Sequence, residues 1–271
     1  MIVNVLTIAG SDPSGGAGIQ ADLKAFSAHG AYGMGVLTAL TAQNTQGVQG
    51  VHPIPPDVVA AQLSSVFSDI RVDAVKIGML GDVATVEVVT DALRRWRPPF
   101  VVCDPVMVAK SGDRLLAPDA VAALRSELLP LVHLVTPNLP EAADLLDVTV
   151  AVDEAGMRAQ VDALLKLGPG LLLKGGHLPG DVAVDLLSVH GELTRFATTR
   201  VPTRNTHGTG CALSSAIAAL RPQRASWAEA VGEAKTWLTE ALRHADSLDV
   251  GSGHGPPHHF HALWAPQPST P

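Results

Sequence analysis

Short apolar runs alternate with amphipathic helical segments along this chain, and that alternation constrains its fold more than any other feature. Residues 100–103 and 171–173 are apolar throughout, and residues 3–9 are rich in β-branched side chains. Strands of this kind are buried on both faces, as in a parallel sheet covered by helices. The pattern predicts an α/β fold with a mostly parallel sheet, in one domain over residues 1–271.

Turn and helix signals add three local predictions. The sequence His190-Gly191-Glu192 lies between two apolar runs and predicts a hairpin of residues 182–189 with 193–197. Residues 118–129 are predicted to form one helix. Residues 51–54 are predicted to form a short strand.

Polar residues cluster at the ends of the predicted strands. The clusters are Gly10-Ser11-Asp12, Gln43-Asn44, Gly78-Met79, Asp104, residues 138–141 and residues 174–177. In an open parallel sheet the carboxyl ends of the strands lie at one edge, where ligands bind. The recurrence of polar residues there predicts a shared functional site.

The stretch N-T-H-G-T-G-C-A-L-S-S, residues 205–215, predicts a glycine turn that leads into a buried helix. Free N–H groups at a helix start favour an anion, and Gly208 and Gly210 have no Cβ to keep it away. Cys211 falls in the first turn, where the helix dipole is expected to lower the thiol pKa. The alternative is a tight strand-to-helix turn with a small buried Cys.

The residue types at this edge are those that phosphoryl transfer needs, namely a cation, oxygen ligands for Mg²⁺ and backbone N–H donors. Asp104, Asn138 and Glu141 could hold Mg²⁺. Lys174, before two glycines, could reach a phosphate. Asn138 and Glu141 taken alone fit a helix cap better, and Lys174 could be an ordinary residue at a strand end.

Gln43 carries both a donor and an acceptor. That combination suits the amino-and-ring-nitrogen edge of an aminopyrimidine. A lone Gln at a strand end is more often a turn residue, so both interpretations stay open.

Composition disfavours several functions. The formal net charge is −7 and no Lys/Arg run occurs, which argues against nucleic acid as a partner. No stretch approaches the ~18 apolar residues of a membrane helix, and the start of the chain does not resemble a signal peptide. The two cysteines, Cys103 and Cys211, cannot build a disulfide framework, so we expect a cytoplasmic protein.

The glycine-rich segments can be compared with two nucleotide-binding motifs. The P-loop motif G-x-x-x-x-G-K-[ST] does not occur, which excludes a P-loop enzyme. Residues 16–21 match G-x-G-x-x-[GA], but they begin several residues beyond their strand. No acidic residue lies near residues 36–43, where a ribose-binding acid is expected, so a dinucleotide-dependent oxidoreductase is disfavoured.

The tail, residues 251–271, is rich in Pro, Gly and His. The spacing of His258 and His261 permits a metal site. With no Cys or acidic residue among its histidines, which include His254 and His259, a packed and partly solvated tail is favoured. His177 and His207 carry the same two interpretations.

Eight short motifs along the chain form one set. They are residues 9–22, 42–45, 76–80, 104–107, 110–113, 136–141, 174–177 and 205–211. Together with H-H-F-H at residues 258–261, the set resembles the bacterial hydroxymethylpyrimidine and phosphomethylpyrimidine kinases of thiamine biosynthesis, in the ribokinase-like superfamily. The resemblance covers nearly the whole chain.

That resemblance implies a ribokinase-like three-layer α/β/α fold, a homodimer and two ATP-dependent, Mg²⁺-dependent phosphorylations. The substrates would be 4-amino-5-hydroxymethyl-2-methylpyrimidine and then its monophosphate. The implied pyrimidine pocket is lined by Gln43, Asp22, Gly10, Met79 and Val106. The implied phosphate and catalytic residues are Gly208, Thr209 and Gly210 as the anion hole, Cys211 at the substrate hydroxyl, and Asp104, Asn138, Glu141 and Lys174 for Mg²⁺ and ATP.

Cys211 takes the place of an Asp found in most ribokinase-like sugar kinases. In a loose transition state the attacking hydroxyl keeps its proton late. We therefore expect Cys211 to orient the hydroxyl and accept its proton late, while the anion hole and Mg²⁺ supply most of the stabilisation.

Two further functions stay open. One is a kinase for pyridoxal or another hydroxymethyl vitamin on the same fold. The other is a non-catalytic pyrimidine-binding or regulatory module, which the intact set of Asp104, Asn138, Glu141, Lys174 and Cys211 argues against.

Overall fold

The computed structural model describes residues 1–107 and 116–264. Its strands are β1 (Asn4–Ser11), β2 (Tyr32–Asn44), β3 (Gly47–Pro53), β4 (Ala74–Ile77), β5 (Val101–Cys103), β6 (Leu134–Val135), β7 (Gly170–Lys174), β8 (Val182–Val189) and β9 (Glu192–Thr199). They form one sheet in the order β3-β2-β1-β4-β5-β6-β7-β8-β9. The strands from β2 to β7 in that order are parallel, and β3, β8 and β9 pair antiparallel at the two ends.

Helices cover both faces of the sheet. They are α1 (Gly18–Ala28), α2 (Pro56–Asp69), α3 (Val83–Trp96), α4 (Pro118–Ala123), α5 (Leu139–Leu146), α6 (Glu154–Leu164), α7 (Thr209–Leu220) and α8 (Trp227–Arg243). Leu63 of α2 and Met157 of α6 belong to one buried core, and Phe26 of α1 and Ile217 of α7 to the other. Full burial of each such side chain stabilises the fold by about 1.5–3 kcal/mol. The two cores confirm the predicted three-layer α/β/α fold.

The order in which strands are added to the sheet reverses at β1. From β1 it runs to β2 on one side, and it later returns to β4 on the other side, with both neighbours parallel to β1. A crevice opens at the carboxyl ends of the strands where the strand order reverses. The loop after β1, residues 12–17, therefore lies at a position suited to a ligand.

Hairpins form both ends of the sheet, and only one of them was predicted. The β8–β9 hairpin turns at His190 and Gly191, whose φ angles of 54° and 81° suit a two-residue turn between twisted strands. The predicted strand at residues 51–54 proves to be the end of β3, which pairs with a long β2. Gln49 and Gly50 interrupt the apolar pattern of β3, so sequence periodicity does not reveal its full length.

The predicted helix over residues 118–129 is shorter than expected. After α4 the chain makes a π-helical turn at Leu124–Leu128 and a 3₁₀ turn at Leu129–Leu131. Pro130 has no N–H to donate and cannot continue an α-helix. The change of helix type lets the chain turn into β6.

No helix within residues 1–107 and 116–264 is long and apolar enough to cross a membrane.

Candidate active site

A cleft of about 890 Å³ opens at the carboxyl edge of the sheet. Of the thirteen predicted site residues, twelve line this cleft. They are Gly10, Gln43, Met79, Asp104, Val106, Asn138, Glu141, Lys174, Gly208, Thr209, Gly210 and Cys211. The structure thus brings together residues that lie up to 201 positions apart in the chain, counted from Gly10 to Cys211.

The glycine turn before α7 has the geometry of an anion cradle. Gly208 caps the helix with φ 75°, a left-handed conformation that side chains other than glycine rarely adopt. A Cβ there would lie 1.8 Å from the carbonyl oxygen of Gly16. Position 208 therefore admits only glycine, and the first N–H groups of α7 face the cleft without a side chain in the way.

Asp104 and Lys174 form an ion pair opposite this turn. Lys174 Nζ lies 2.8 Å from Asp104 Oδ1, and the two side chains are 13% and 3% exposed. Burial would lower the pKa of Lys174, but the charges of Asp104 and Glu141 outweigh it and raise that pKa. A Cβ added at Gly210 would lie 3.2 Å from Lys174 Nζ. The cradle and the cation thus face one point in the cleft.

Asn138 and Glu141 form a capping box at the start of α5. Asn138 Oδ1 accepts the N–H of Glu141 at 2.9 Å, and Glu141 Oε2 accepts the N–H of Asn138 at 2.7 Å. Burial raises the pKa of Glu141 to about 7; Lys174 opposes that rise and Asp104 adds to it. The cap expected as the alternative is present, and Glu141 also lines the cleft, where Asp104 is near enough to raise its pKa.

Asp22 does not line the cleft, which corrects its predicted place in the pyrimidine pocket. Its side chain is fully buried beneath the cleft and lies 2.9 Å from Lys76 Nζ. It also accepts the hydroxyls of Thr7 at 2.6 Å and Ser215 at 2.7 Å. Asp22 therefore holds Lys76, which does line the cleft, and joins α1 to β4 and α7.

The expected low pKa of Cys211 is wrong. Burial raises the pKa of the Cys211 thiol to about 11, and the positive charge of Lys76 only partly opposes this. Asp22 and Asp104 add to the rise. Burial of the thiol and the two nearby carboxylates thus outweigh the helix dipole at this position.

The other end of the cleft is built from hydrogen-bonded groups around Asp12. Its carboxylate accepts the N–H groups of Ser14 and Ala17 and lies 2.8 Å from His207 Nε2. Burial would raise the pKa of Asp12, but the hydrogen bonds from His207 and Ser14 outweigh it and lower that pKa to about 2. Gln43 Nε2 lies 3.3 Å from the same ring nitrogen of His207.

Gly10 and Met79 meet on this side of the cleft. A Cβ at Gly10 would lie 2.8 Å from the Met79 methyl group, so the glycine makes room for the methionine. Val106 follows two residues after Asp104, and its N–H bonds to the Asp104 carbonyl at 2.8 Å. Three of the residues expected to form the pyrimidine pocket therefore line one cleft with Gln43.

Sequence reasoning missed Lys235 and Asp185. These two side chains form a buried ion pair that lines the cleft between α8 and β8. Asp185 Oδ1 also accepts the N–H of Gly175 at 3.0 Å, next to Lys174. The available signal was a charged residue within the apolar pattern of each element, Val182–Val189 and Trp227–Arg243.

The K-S-G-D motif at residues 110–113 is outside the described residues. In the tail, His258 and His259 are buried against the ring systems of Trp264 and Trp237.

Comparison with known proteins assigns a family to this site. A model of the phosphomethylpyrimidine kinase family matches residues 12–258. A hydroxymethylpyrimidine/phosphomethylpyrimidine kinase of Escherichia coli strain K12 is 60% identical over 263 residues, which is 97% of this chain and 99% of that protein. A kinase of the same description from Rhizobium meliloti strain 1021 is 53% identical over 265 residues, with 97% and 99% covered.

Solved structures agree with the fold. A Bacillus subtilis pyridoxal kinase in complex with ADP matches with a TM-score of 0.89 and 36% identity, covering 97% of this chain and 99% of that one. A phosphomethylpyrimidine kinase from Clostridium difficile 630 matches with a TM-score of 0.78 and 42% identity, covering 89% and 99%.

Proposed function

The chain belongs to the phosphomethylpyrimidine kinase family, and we propose that its cleft performs both phosphorylations of thiamine-precursor synthesis. It is an ATP-dependent kinase that phosphorylates 4-amino-5-hydroxymethyl-2-methylpyrimidine and then the monophosphate, giving the diphosphate. The relatives named for both steps cover nearly the whole chain.

One geometric observation supports this function most directly. The glycine cradle at the start of α7 faces the Asp104–Lys174 pair, and Cys211 follows in the same first turn. Phosphoryl transfer needs positioned donors and positive charge around the moving group and little covalent chemistry from the protein. The cradle and Lys174 would hold the transferred phosphoryl group between them.

The residues beside Lys174 fit Mg²⁺. Asp104 and Glu141 are both buried, and the raised pKa of Glu141 reflects burial and the nearby Asp104 carboxylate. Two hard oxygen donors that repel one another favour a divalent cation that takes carboxylates, phosphates and water as ligands. Bound there, Mg²⁺ would neutralise charge on the phosphates of ATP.

Asn138 suits the nucleotide better than the metal. Its Oδ1 already accepts the N–H of Glu141, which leaves the Nδ2 group to donate. We therefore propose that Asn138 donates to an ATP phosphate and orients Glu141, and that Asp104 and Glu141 provide the metal ligands.

Cys211 would act as a neutral thiol toward the substrate hydroxyl. With a pKa of about 11 the thiol keeps its proton at neutral pH. Because the thiol already carries a proton, its role would be to position the hydroxyl rather than to accept its proton. The hydroxyl proton would pass to an oxygen of the transferred phosphoryl group after the new P–O bond has largely formed, as a loose transition state allows.

The pyrimidine would lie at the Gln43 end, with Gly10, Met79 and Val106. Its hydroxymethyl group would then point toward Cys211. In the second reaction the monophosphate takes the place of the hydroxyl, and the N–H groups of the cradle suit that anion as well.

We also propose that the enzyme is a cytoplasmic homodimer. Leu40 on β2 and Val51 on β3 are 45% and 43% exposed, and Val58 at the start of α2 is 44% exposed. Burying such apolar side chains favours association. Light scattering would then give twice the chain mass of 28.1 kDa.

Measured ADP release with Mg²⁺ and ATP tests the function. We expect release with the hydroxymethyl pyrimidine and with its monophosphate, and little release with pyridoxal. Release with pyridoxal alone would contradict the proposal and favour the activity named for the pyridoxal kinase neighbours. A Cys211→Ala variant is expected to lower kcat by less than the ~10²–10⁴-fold that general-base catalysis contributes, because the neutral thiol orients the hydroxyl and does not take its proton.

A further inference from the structure

The C-terminal tail is docked against the body of the protein. Residues 255–259 are all buried although they form no helix or strand. The N–H of His258 donates to the carbonyl of Ala241 in α8 at 2.9 Å. Chain termini are ordinarily poorly ordered unless specific contacts hold them, so this docking calls for a reason.

The tail connects two loops that flank the pyrimidine end of the cleft. On one side Gly253 N–H donates to Thr45 Oγ1 at 3.1 Å and His254 N–H donates to the Thr45 carbonyl at 2.9 Å. Thr45 lies in the turn after β2, two residues beyond Gln43.

On the other side the tail holds the loop before α7. Gly255 N–H donates to Asn205 Oδ1 at 3.1 Å, and the Gly255 carbonyl accepts the N–H of His207 at 3.0 Å. A Cβ at Gly255 would lie 2.5 Å from Asn205 Oδ1, and a Cβ at Gly253 would lie 2.0 Å from the Thr45 carbonyl oxygen. The fit leaves no room for a side chain at either glycine.

The residue held by the tail determines how Gln43 is oriented. Asp12 is a carboxylate, so His207 Nε2 carries the proton of their 2.8 Å hydrogen bond and cannot accept one from Gln43. Thr41 has a single hydroxyl proton, which it gives to the Ser11 carbonyl at 2.8 Å. The amide nitrogen of Gln43 therefore belongs beside Thr41 Oγ1, and its oxygen beside His207.

We propose that residues 253–259 are a strap that orients Gln43 for the pyrimidine through His207. The strap fixes the backbone of His207. The Nε2–H of the imidazole, which is donated mainly to Asp12, disfavours the amino group of Gln43 beside it and favours the amide oxygen, so that one N–H of Gln43 is left to face the ligand. Gly253, Gly255 and His207 are positioning residues in this arrangement. The inference rests on the proposed pyrimidine kinase activity.

The test is a two-by-two set of variants, Gly255→Ala, His207→Ala and both together. Steady-state kinetics should show KM for the hydroxymethyl pyrimidine raised about tenfold in each single variant, with KM for ATP and kcat within about twofold of wild type. Because both act through one path, the double variant should match His207→Ala. Asn205→Ala, which removes the acceptor of the Gly255 N–H without adding an atom, replaces Gly255→Ala if that variant fails to fold.

Ser252→Ala is the matched control, since it removes only the exposed bond from Gln46 Nε2 and should leave both KM values unchanged. The proposal is overturned if the pyrimidine KM is unaffected, if the ATP KM rises equally, or if the two single effects multiply in the double variant. The wild-type assay distinguishes failure of the kinase activity from failure of the strap. A wild-type protein that binds the pyrimidine in calorimetry without phosphorylating it would contradict the proposed kinase activity. The strap would then be tested by the pyrimidine Kd of the same variants.

Discussion

Among the lysine–aspartate pairs at the cleft, Asp22–Lys76 and Asp104–Lys174 differ in how completely they are satisfied. In the first, both oxygens of Asp22 lie 2.9 Å from Lys76 Nζ, and neither side chain is exposed. Two hydroxyls, from Thr7 and Ser215, also donate to Asp22. The four acceptor positions of Asp22 are therefore all used, and at most one N–H of Lys76 is left for a ligand.

The second pair, Asp104 with Lys174, is open. One 2.8 Å contact joins the two side chains, and the hydroxyl of Thr136 adds only a 3.3 Å contact to Asp104. Lys174 keeps 13% of its side chain exposed, and Glu141 adds a further carboxylate. The first pair holds elements together, whereas the second can exchange its partner for phosphate or metal. The difference predicts opposite responses to removal of charge.

Asp22→Asn should produce the largest effect, and it should be on stability. The substitution keeps the shape of the side chain and leaves Lys76 charged and unpaired in the interior, which is expected to lower the free energy of unfolding by about 3–5 kcal/mol. Urea denaturation measures it. Glu127→Gln, which breaks the half-exposed pair with Arg94, serves as the control and should cost less than about 1 kcal/mol. A loss as small as the control's would mean that the buried pair is not structural.

Lys174→Met should act on catalysis instead. Loss of a charge that stabilises the transferred phosphoryl group is expected to lower kcat by about 10²–10³-fold. Its effect on stability should be smaller than that of Asp22→Asn, because Lys174 is 13% exposed whereas both partners of the Asp22–Lys76 pair are fully buried. Lys166→Met makes the same substitution at an exposed position outside the cleft and should leave kcat unchanged. A stability loss equal to that of Asp22→Asn, with kcat retained, would remove the distinction between the pairs.

The open pair, Asp104 with Lys174, could be predicted from the sequence, whereas the partners of Asp22 could not. Parallel strands end at one edge, so Asp104, Asn138 and Lys174 could be placed together from their positions after apolar runs. The turn at Gly208 could be predicted because a residue without a Cβ is favoured where the chain turns tightly into a buried helix. These predictions depend on local patterns that the backbone converts directly into position.

Other features depend on contacts between distant segments, which no local pattern encodes. The burial of Asp22 follows from Lys76, Thr7 and Ser215, which lie on three other elements. The pair of Lys235 with Asp185 joins residues 50 positions apart. The tail contacts of Gly255 depend on a loop that precedes it by 50 positions.

The Cys211 thiol is close enough to Lys76, Asp22 and Asp104 for their charges to shift its pKa. The smallest predicted effect is on its rate of alkylation, which shows whether the helix dipole or burial controls that pKa. A helix start alone would lower that pKa, whereas burial raises it to about 11. A raised pKa means that the thiolate fraction, and with it the rate of alkylation by iodoacetamide, should increase about tenfold per pH unit and about 100-fold between pH 7 and pH 9. Mass spectrometry of the labelled peptide measures this rate, and Cys211→Ser shows how much label enters at the buried Cys103. A rate that levels off below pH 8 would indicate a thiolate at neutral pH, and Cys211 could then accept the proton of the substrate hydroxyl instead of only orienting that hydroxyl.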